Sequence, residues 1–229
     1  MLHIVTPLFR YHLLERVYQS IPPHDDIVWH LAKTRHRPPL AYAFIARDSR
    51  VRVHEIDCDD TDIVAKRNTV FAAITDGYFY LLDDDTVCVD ELYRVYREYR
   101  AACFEGMIVG ASNLSAARRP SADPLLNRLD TGAVLCFHAV LRHVEWAWSA
   151  DYARDRLFWS RVFAFYGAER TVVLDRTIAA YNHLGPLVRV RKRVLGCSIA
   201  WDIYRPWIAR VYLLAADARH HARRWARGR

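Results

Sequence analysis

The sequence contains little lysine and no cysteine pattern typical of a metal site. Only three of the 33 basic residues are lysines, and we attribute this bias to a GC-rich genome ahead of any role in binding phosphate. The five cysteines are scattered, without a CxxC pair or a cysteine–histidine spacing, which excludes the usual structural zinc sites. Their odd number and their spread indicate buried free thiols in a reducing compartment.

Long apolar runs are also missing. No segment reaches the ~20 apolar residues that a membrane-spanning helix needs. Arg10 and Glu15 interrupt the apolar residues near the start, so we predict no signal peptide. Internal repeats are absent, and the basic end is the sole biased tract. From these absences we expect a cytoplasmic protein.

The composition otherwise describes a globular domain with a strong positive charge. With 229 residues, 52% of them hydrophobic, the chain can bury a sizeable core as one domain. The formal net charge is +7 and the isoelectric point is about 9.3. This charge favours an anionic partner, which could be a nucleotide, a nucleic acid or an acidic membrane surface.

The apolar spacing predicts strands alternating with helices. Short apolar runs that end at turn residues indicate strands, whereas apolar residues at every third or fourth position indicate helices. Strands are expected at 2–5, 27–29, 41–46, 51–56, 78–82, 107–110, 134–137, 171–174 and 178–182, and helices at 11–20, 62–74, 90–103 and 155–166. This alternation predicts an α/β fold with a mostly parallel sheet flanked by helices.

Three adjacent carboxylates follow the most apolar of these strands. The run 78–82 leads directly into Asp83, Asp84 and Asp85. Their mutual repulsion calls for a counter-charge, and hard oxygen ligands suit Mg²⁺ or Mn²⁺. At the carboxyl end of a strand, such an ion would lie in the crevice where open α/β sheets bind ligands. The alternative is a solvated acidic turn in which an aspartate caps a helix.

Further motifs appear in a fixed order around this triad. They are Val5-Thr6-Pro7, Arg67-Asn68, Leu82-Asp83-Asp84-Asp85, Thr131-Gly132-Ala133, Arg154-Asp155 and Tyr181-Asn182-His183-Leu184. Over about residues 1–185 the chain resembles GT-A glycosyltransferases, in particular the family-2-like and inverting glucuronosyltransferase-like branches. The resemblance implies a single GT-A, Rossmann-like domain at 1–187. Residues 1–110 would bind the nucleotide sugar, 111–187 would bind the acceptor, and 188–229 would be a basic extension.

The resemblance also implies ligand-binding roles. Asp85 and His183 would hold Mn²⁺ or Mg²⁺, although a lone histidine is more often structural. Arg67 would pair with diphosphate or with Asp83, unless it is a surface arginine of its helix. The expected donor-binding residues are Thr6, Pro7, Arg67, Asp83, Asp84 and Asp85. The expected acceptor-binding residues are Thr131, Gly132 and Trp146. Trp146 and Trp148 could stack on a sugar face, and packing in the core is an equal alternative.

Asp155 is the expected general base of such a reaction. A carboxylate within about 3 Å of the acceptor hydroxyl can take its proton. The alternative is an acid stabilised by the helix dipole. Relatives often have two acids here, whereas this chain has Arg154 before Asp155, which makes Asp151 a rival. A second departure is Trp29-His30-Leu31, where relatives place an acid that reads uracil, so the nucleotide base stays open.

The expected activity is transfer of a sugar, with inversion, from a nucleotide-diphospho-sugar to an acceptor hydroxyl. A UDP-sugar is the expected donor, and the acceptor would be a glycan or a lipid-linked saccharide. Residues 206–229 read as a basic amphipathic helix on an anionic membrane, which would place the protein on the inner face of the membrane. The equal alternative is a helix packed on the domain. We expect no nucleic-acid partner.

Two other functions remain open at this point. Asp83 and Asp85, followed by Thr86-Val87, match the nucleophile motif of haloacid-dehalogenase-like phosphatases. That motif normally ends the first strand of its fold, and the later paired acids are missing because Asp175 stands alone. A non-enzymatic membrane- or nucleic-acid-binding module would explain the charge, but the basic residues gather at one end and not across a fold motif.

Overall fold

The structure is a computed structural model that describes residues 1–112, 131–147 and 154–180. Seven strands lie in these ranges: β1 (Leu2–Pro7), β2 (Ile27–Thr34), β3 (Val51–Ile56), β4 (Tyr78–Leu81), β5 (Met107–Ser112), β6 (Val134–Phe137) and β7 (Thr171–Ala179). They form one sheet in the order β3-β2-β1-β4-β6-β5-β7. Strand β6 runs antiparallel to both of its neighbours, whereas the other paired strands are parallel.

Helices cover both faces of this sheet. The described ones are α1 (Leu14–Ser20), α2 (Ala43–Arg47), α3 (Ile63–Ala72), α4 (Asp90–Ala101) and α5 (Arg154–Tyr166). Short 3-10 turns are found at Tyr11–Leu13, Thr131–Ala133, His138–Arg142 and Ala168–Arg170. Asp62 starts α3, because its carboxylate accepts a hydrogen bond from the backbone N–H of Ala65 at 2.9 Å. In the described part of the chain, no helix has both the length and the apolar character needed to cross a membrane.

The two faces of the sheet bury separate hydrophobic clusters. On one face, Leu2 and Ile4 of β1 pack with apolar residues of α1 and α4. On the other face, Val5 and Phe79 pack with apolar residues of α3 and α5. Alternate residues of a strand point to opposite faces, so the near-continuous apolar runs of β1 and β4 are those of strands buried on both sides. The result is a three-layer α/β arrangement, as the sequence predicted.

The parallel strands β1, β2 and β4 end at the same edge of the sheet. Val5 lies beside Leu81, and Thr6 lies beside Leu31. Gly77 turns the chain into β4 with a φ of +66°, and a Cβ there would lie 2.1 Å from the carbonyl oxygen of Met1. The tight turn therefore requires glycine. This turn sets where β4 begins beside β1, and so where the acid triad lies at the edge of the sheet.

The largest differences from the sequence prediction concern β2, α2 and β7. Strand β2 continues to Thr34, because the buried ammonium of Lys33 pairs with Glu55 at 2.8 Å and lets the strand run past polar residues. The stretch predicted as a strand at 41–46 is instead helix α2. Phe44 there stacks on Tyr18 with ring centroids 4.1 Å apart, and such short apolar runs suit either structure. The two strands predicted at 171–174 and 178–182 form the single strand β7 as far as Ala179.

A chain of histidines crosses β1, β2 and β3. His3 Nδ1 is 3.0 Å from His30 Nε2, and His30 Nδ1 is 3.0 Å from His54 Nε2. At the other end, His3 Nε2 is 3.0 Å from the carboxylate of Asp76. Because Asp76 can only accept, each imidazole must carry its proton on Nε2 and accept at Nδ1. The network is complete when all three rings are neutral.

This histidine chain predicts a loss of stability in mild acid. Burial is the main cause that lowers the pKa of His30 to about 3, and the neighbouring histidines and Arg52 add to it. Burial also lowers the pKa of His3 and His54. Between pH 6.5 and about 3 the unfolded chain therefore binds protons that the folded chain does not. For each such proton, the free energy of unfolding decreases by up to about 1.4 kcal/mol for each pH unit of acidification. The stabilisation is complete above pH 6.5 and is lost as the pH falls.

We expect urea unfolding to show this dependence between pH 7 and about 5, above the range where most carboxylates titrate. The variant His30→Gln removes the central titrating group, so its free energy of unfolding should fall less steeply with decreasing pH than that of the wild type. Equal slopes in the two proteins would contradict the role of the histidine chain.

Candidate active site

Asp84 is the most deeply buried residue of the acid triad. Its Oδ2 accepts hydrogen bonds from the backbone N–H groups of Phe9 and Arg10, at 2.6 and 2.5 Å. Its Oδ1 lies 2.7 Å from Nη1 of Arg10. Burial raises the pKa of Asp84, against the charge of Arg10 and these hydrogen bonds. The carboxylate thus ties the segment after β1 to the end of β4.

Arg10 bridges Asp84 to Asp85. The same Nη1 atom lies 2.8 Å from Oδ2 of Asp85, so one nitrogen serves two carboxylates. Burial raises the pKa of Asp85 to about 6, with Arg10 opposing the rise and Asp83 and Asp84 adding to it. Part of the counter-charge that the triad calls for is therefore supplied from within the chain, by a residue that the sequence did not indicate as part of the site.

Arg67 connects the acid triad to Asp155, in the half of the fold expected to bind the acceptor. This buried side chain extends from α3, and its Nη2 lies 3.3 Å from Asp83 while its Nη1 lies 3.4 Å from Asp155. Its guanidinium carbon sits 4.1 Å from the ring centroid of Trp146. One cation thus contacts the expected donor side and the expected base. The alternative of a surface arginine does not hold, because its side chain is only 2% exposed.

Asp155 lies in the first turn of α5 and faces Thr131. The Thr131 hydroxyl donates to Oδ2 of Asp155, while Oδ1 faces Arg67. Gly132 lies beside Thr131, and its carbonyl accepts a hydrogen bond from the Tyr80 hydroxyl at 2.7 Å. The 3-10 turn is thereby held to β4, and it holds Asp155 in turn. The Asp155 side chain remains 38% exposed, so a substrate can reach it.

Several buried polar atoms near the triad have no hydrogen-bond partner among the described residues. They are Nε of Arg10, Nε of Arg67 and the hydroxyl of Thr86. A buried donor without an acceptor costs free energy, and native proteins rarely retain one without a purpose. All three belong to side chains that contact the triad or follow it directly. They suit a ligand rich in acceptor oxygens, as a diphosphate is.

The remaining residues predicted for the donor lie under this edge of the sheet. Thr6 is fully buried, and its hydroxyl accepts a hydrogen bond from the Trp29 indole at 2.9 Å. Pro7 is buried at the last position of β1. Strand β2 ends at Thr34 and so runs beyond Trp29-His30-Leu31. At the end of this strand, Asp60 accepts hydrogen bonds from Thr34 at 3.0 Å and from Arg37 at 2.5 Å.

Trp146 favours the core alternative over sugar stacking. The residue is 1% exposed, and Phe158 stacks on its ring at 4.2 Å between centroids. Its backbone exchanges two hydrogen bonds of 2.9 Å with the side chain of Asn68. Trp146 thus supports Arg67 from below. The two residues of the Arg-Asn pair in α3 therefore contact the same tryptophan: Asn68 bonds to its backbone, and the guanidinium of Arg67 packs against its ring.

The structure brings together most of the residues that the motifs singled out. Their contacts form two sets that meet where Asp83 precedes Asp84 in the chain. In one set Arg67 contacts Asp83 and Asp155, and Asp155 contacts Thr131. In the other set Arg10 contacts Asp84 and Asp85. His183, Asp151, Trp148 and residues 188–229 lie outside the described residues, and their roles stay predictions. Arg10 was missed. The sequence feature that could have indicated it is a charged residue in an otherwise apolar stretch, three residues after the end of β1.

The donor set fits a hard divalent cation in its chemistry. Asp83 and Asp85 offer carboxylate oxygens, which Mg²⁺ and Mn²⁺ prefer, and the guanidinium of Arg10 already occupies a cation position between Asp84 and Asp85. Within residues 1–112, 131–147 and 154–180, no three histidine, cysteine, aspartate or glutamate side chains form a group that could hold a metal. A complete coordination shell therefore needs oxygen atoms from a bound ligand, or residues beyond these ranges.

Comparison with known proteins finds similarity in structure and none in sequence. No family model matches the chain, and no curated protein matches it. Among solved structures, TarS from S. aureus in complex with UDP-GlcNAc has a TM-score of 0.63 at 11% identity, over 78% of this chain and 57% of that chain. This chain thus spans less than two thirds of the TarS chain.

Two further structures have similar scores. Glucosyl-3-phosphoglycerate synthase from Mycobacterium tuberculosis, in complex with Mn²⁺, UDP and glucosyl-3-phosphoglycerate, has a TM-score of 0.59 at 14% identity, over 83% of this chain and 74% of that chain. Mannosyltransferase PcManGT from Pyrobaculum calidifontis, in complex with GDP-Man and Mn²⁺, has a TM-score of 0.58 at 12% identity, over 83% and 60%.

These similarities establish the class of fold. The chain has the GT-A fold of nucleotide-sugar-dependent glycosyltransferases, as the order of its motifs predicted. At such low identity the likeness concerns the fold alone, and the function has to be argued from the site.

Proposed function

We propose that the protein is a glycosyltransferase that uses a nucleotide-diphospho-sugar. The observation that supports this most directly is the link Asp83–Arg67–Asp155 at the strand-end edge of a GT-A sheet. It joins an acidic cluster, suited to the donor, to an accessible carboxylate suited to the acceptor. The donor is a UDP-sugar and the acceptor is a hydroxyl of a glycan or lipid-linked saccharide, by analogy with the resemblance.

The chemistry divides between the two halves of the site. Asp155 takes the proton of the acceptor hydroxyl as its oxygen bonds to the anomeric carbon. The bond from that carbon to the diphosphate oxygen breaks at the same time, and the nucleoside diphosphate leaves. A single displacement of this kind inverts the anomeric configuration. Thr131 and Arg67 hold the carboxylate of Asp155 in one orientation, which lowers the cost of reaching the attacking geometry.

The donor half must stabilise negative charge. Arg67 and Arg10 present guanidinium groups to the region after β4, and each has a buried Nε without a partner in the described ranges. Planar guanidinium groups suit diphosphate oxygens. Asp85, with His183, would hold Mn²⁺ or Mg²⁺, which would supply a Lewis acid for the departing diphosphate.

The phosphatase alternative receives no support from the fold. Its nucleophile motif ends the first strand, whereas the triad here follows the fourth strand of a GT-A sheet. The contact of residues 206–229 with an anionic membrane remains part of our proposal for a lipid-linked acceptor. It rests on the basic amphipathic pattern of that segment alone.

A thermal-shift screen tests the donor. A nucleotide sugar at 100 times its Kd stabilises the folded state by about 2.7 kcal/mol, which should raise the Tm of a chain of this size by about 5–10 °C. We expect this shift with a UDP-sugar and Mn²⁺, and a smaller one with UDP alone. Release of UDP in the presence of an acceptor then measures turnover. No shift with any nucleotide sugar, together with phosphatase activity sensitive to orthovanadate, would contradict the proposal.

A further inference from the structure

Arg10 holds a cationic group against Asp85, the carboxylate that we propose as a ligand of the divalent cation. It follows β1 by three residues, and its side chain is 15% exposed, against 2% for Asp84 and 6% for Asp85. Its Nη1 lies 2.7 Å from Asp84 and 2.8 Å from Asp85. The three side chains thus form a buried ion cluster in which one positive charge serves two carboxylates.

The two carboxylates are held unequally. Asp84 accepts from two backbone N–H groups besides the guanidinium, so its position is fixed by the fold of the segment after β1. The contact between Arg10 and Asp85 joins two side chains through the same Nη1 atom that Asp84 holds, so it opens when the Asp85 side chain turns. Asp84 therefore anchors Arg10, whereas the Asp85 contact is the one that can be exchanged for another cation.

We propose that Arg10 is an internal cation that competes with divalent metal for Asp85. This inference rests on the proposed function in so far as Asp85 is the metal ligand. A metal ion near Asp85 would meet the repulsion of the guanidinium at short range, and this repulsion is weakly screened where water is largely excluded. Metal binding thus requires Arg10 to leave Asp85 while it stays on Asp84. The free-energy cost of breaking the Arg10–Asp85 contact keeps the affinity for metal low while no nucleotide is bound.

The same exchange links metal binding to the donor. The buried Nε of Arg10 has no acceptor among the described residues, and a diphosphate oxygen can provide one. The negative charge of the diphosphate also offsets the repulsion between Arg10 and the metal. Nucleoside diphosphate should therefore tighten metal binding in the wild type more than in a protein without the Arg10 charge. Arg10 is in this sense a positioning residue, which acts through Asp85.

Titration with Mn²⁺, with free Mn²⁺ followed by electron paramagnetic resonance, tests this without any turnover. In the absence of nucleotide, Arg10→Ala should bind Mn²⁺ about tenfold more tightly than the wild type, or better, because a nearby like charge is gone. UDP should tighten Mn²⁺ binding less in Arg10→Ala than in the wild type. The control Arg94→Gln removes the same charge from a side chain that is 71% exposed, and it should change the affinity by less than about twofold.

Two further variants make the result interpretable. If Arg10→Ala fails to fold because Asp84 loses its counter-charge, the double variant Arg10→Ala/Asp84→Asn removes both partners of the buried pair. This double variant should show the same gain in Mn²⁺ affinity over the wild type. Adding Asp85→Ala should abolish the gain. Unchanged or weaker Mn²⁺ binding in the folded Arg10 variants would overturn the inference, as would a gain that survives Asp85→Ala. A clear gain without any shift by a nucleotide sugar would instead overturn the proposed function and leave the role of Arg10 standing.

Discussion

Replacement of Asp85 by alanine is expected to remove Mn²⁺-dependent sugar transfer, with a fall in turnover of about a thousandfold. A Lewis acid at a departing diphosphate is worth several kcal/mol of transition-state stabilisation, and each 1.36 kcal/mol is a factor of ten in rate. The fold should persist, since Arg10 keeps its 2.7 Å contact with Asp84. Measured side by side, the Mn²⁺ affinity and the rate of UDP release should fall together.

Asp25→Ala provides the matched control for this variant. Asp25 is an exposed carboxylate that precedes β2, at the opposite end of the strands from the triad. Its removal changes the net charge by the same amount, so Mn²⁺ affinity and turnover should both be retained. An Asp85→Ala protein with wild-type turnover and metal affinity would show that the metal binds elsewhere.

The sequence predicted the layered α/β fold and the edge of the sheet that carries the site. The information is local: the apolar run 78–82 is buried on both faces, and Asp83 follows where the strand ends, so strand and acids are adjacent in the chain. The motif order supplied Arg67 and Asp155, which are 88 residues apart and meet in the structure at 3.4 Å. The spacing of single residues would not have predicted that contact.

The features that the sequence did not predict depend on polar contacts between distant segments. Strand β2 runs past His30 and Lys33 because their partners lie on β1 and β3, and an apolar-run rule ends such a strand early. Arg10 was unrecognised for the same reason, since its meaning comes from two carboxylates more than 70 positions later. The sequence left open whether Trp146 stacks on a sugar or packs in the core, and its burial and its contact with Arg67 favour the core.

Asp155→Asn is the second variant with a large expected effect. Asparagine has nearly the same shape and can still bond to Thr131, but it cannot take the proton of the acceptor hydroxyl. General base catalysis contributes about 10²- to 10⁴-fold, so kcat should fall by that factor. Donor binding should be retained, because Arg67 keeps its ion pair with Asp83 and its contact with the ring of Trp146. The thermal shift by UDP-sugar with Mn²⁺ should therefore match that of the wild type.

Asp175→Asn is the control for this substitution, since Asp175 is an exposed residue of β7 and should leave kcat unchanged. The comparison with Asp151→Asn decides between the two candidate bases. If Asp155 takes the proton, Asp151→Asn should retain most of the activity, whereas full activity of Asp155→Asn with loss in Asp151→Asn would move the base to Asp151. A fall in kcat accompanied by a lost thermal shift would assign Asp155 to holding Arg67 in the donor site, because Arg67 is the contact through which Asp155 reaches that half of the fold.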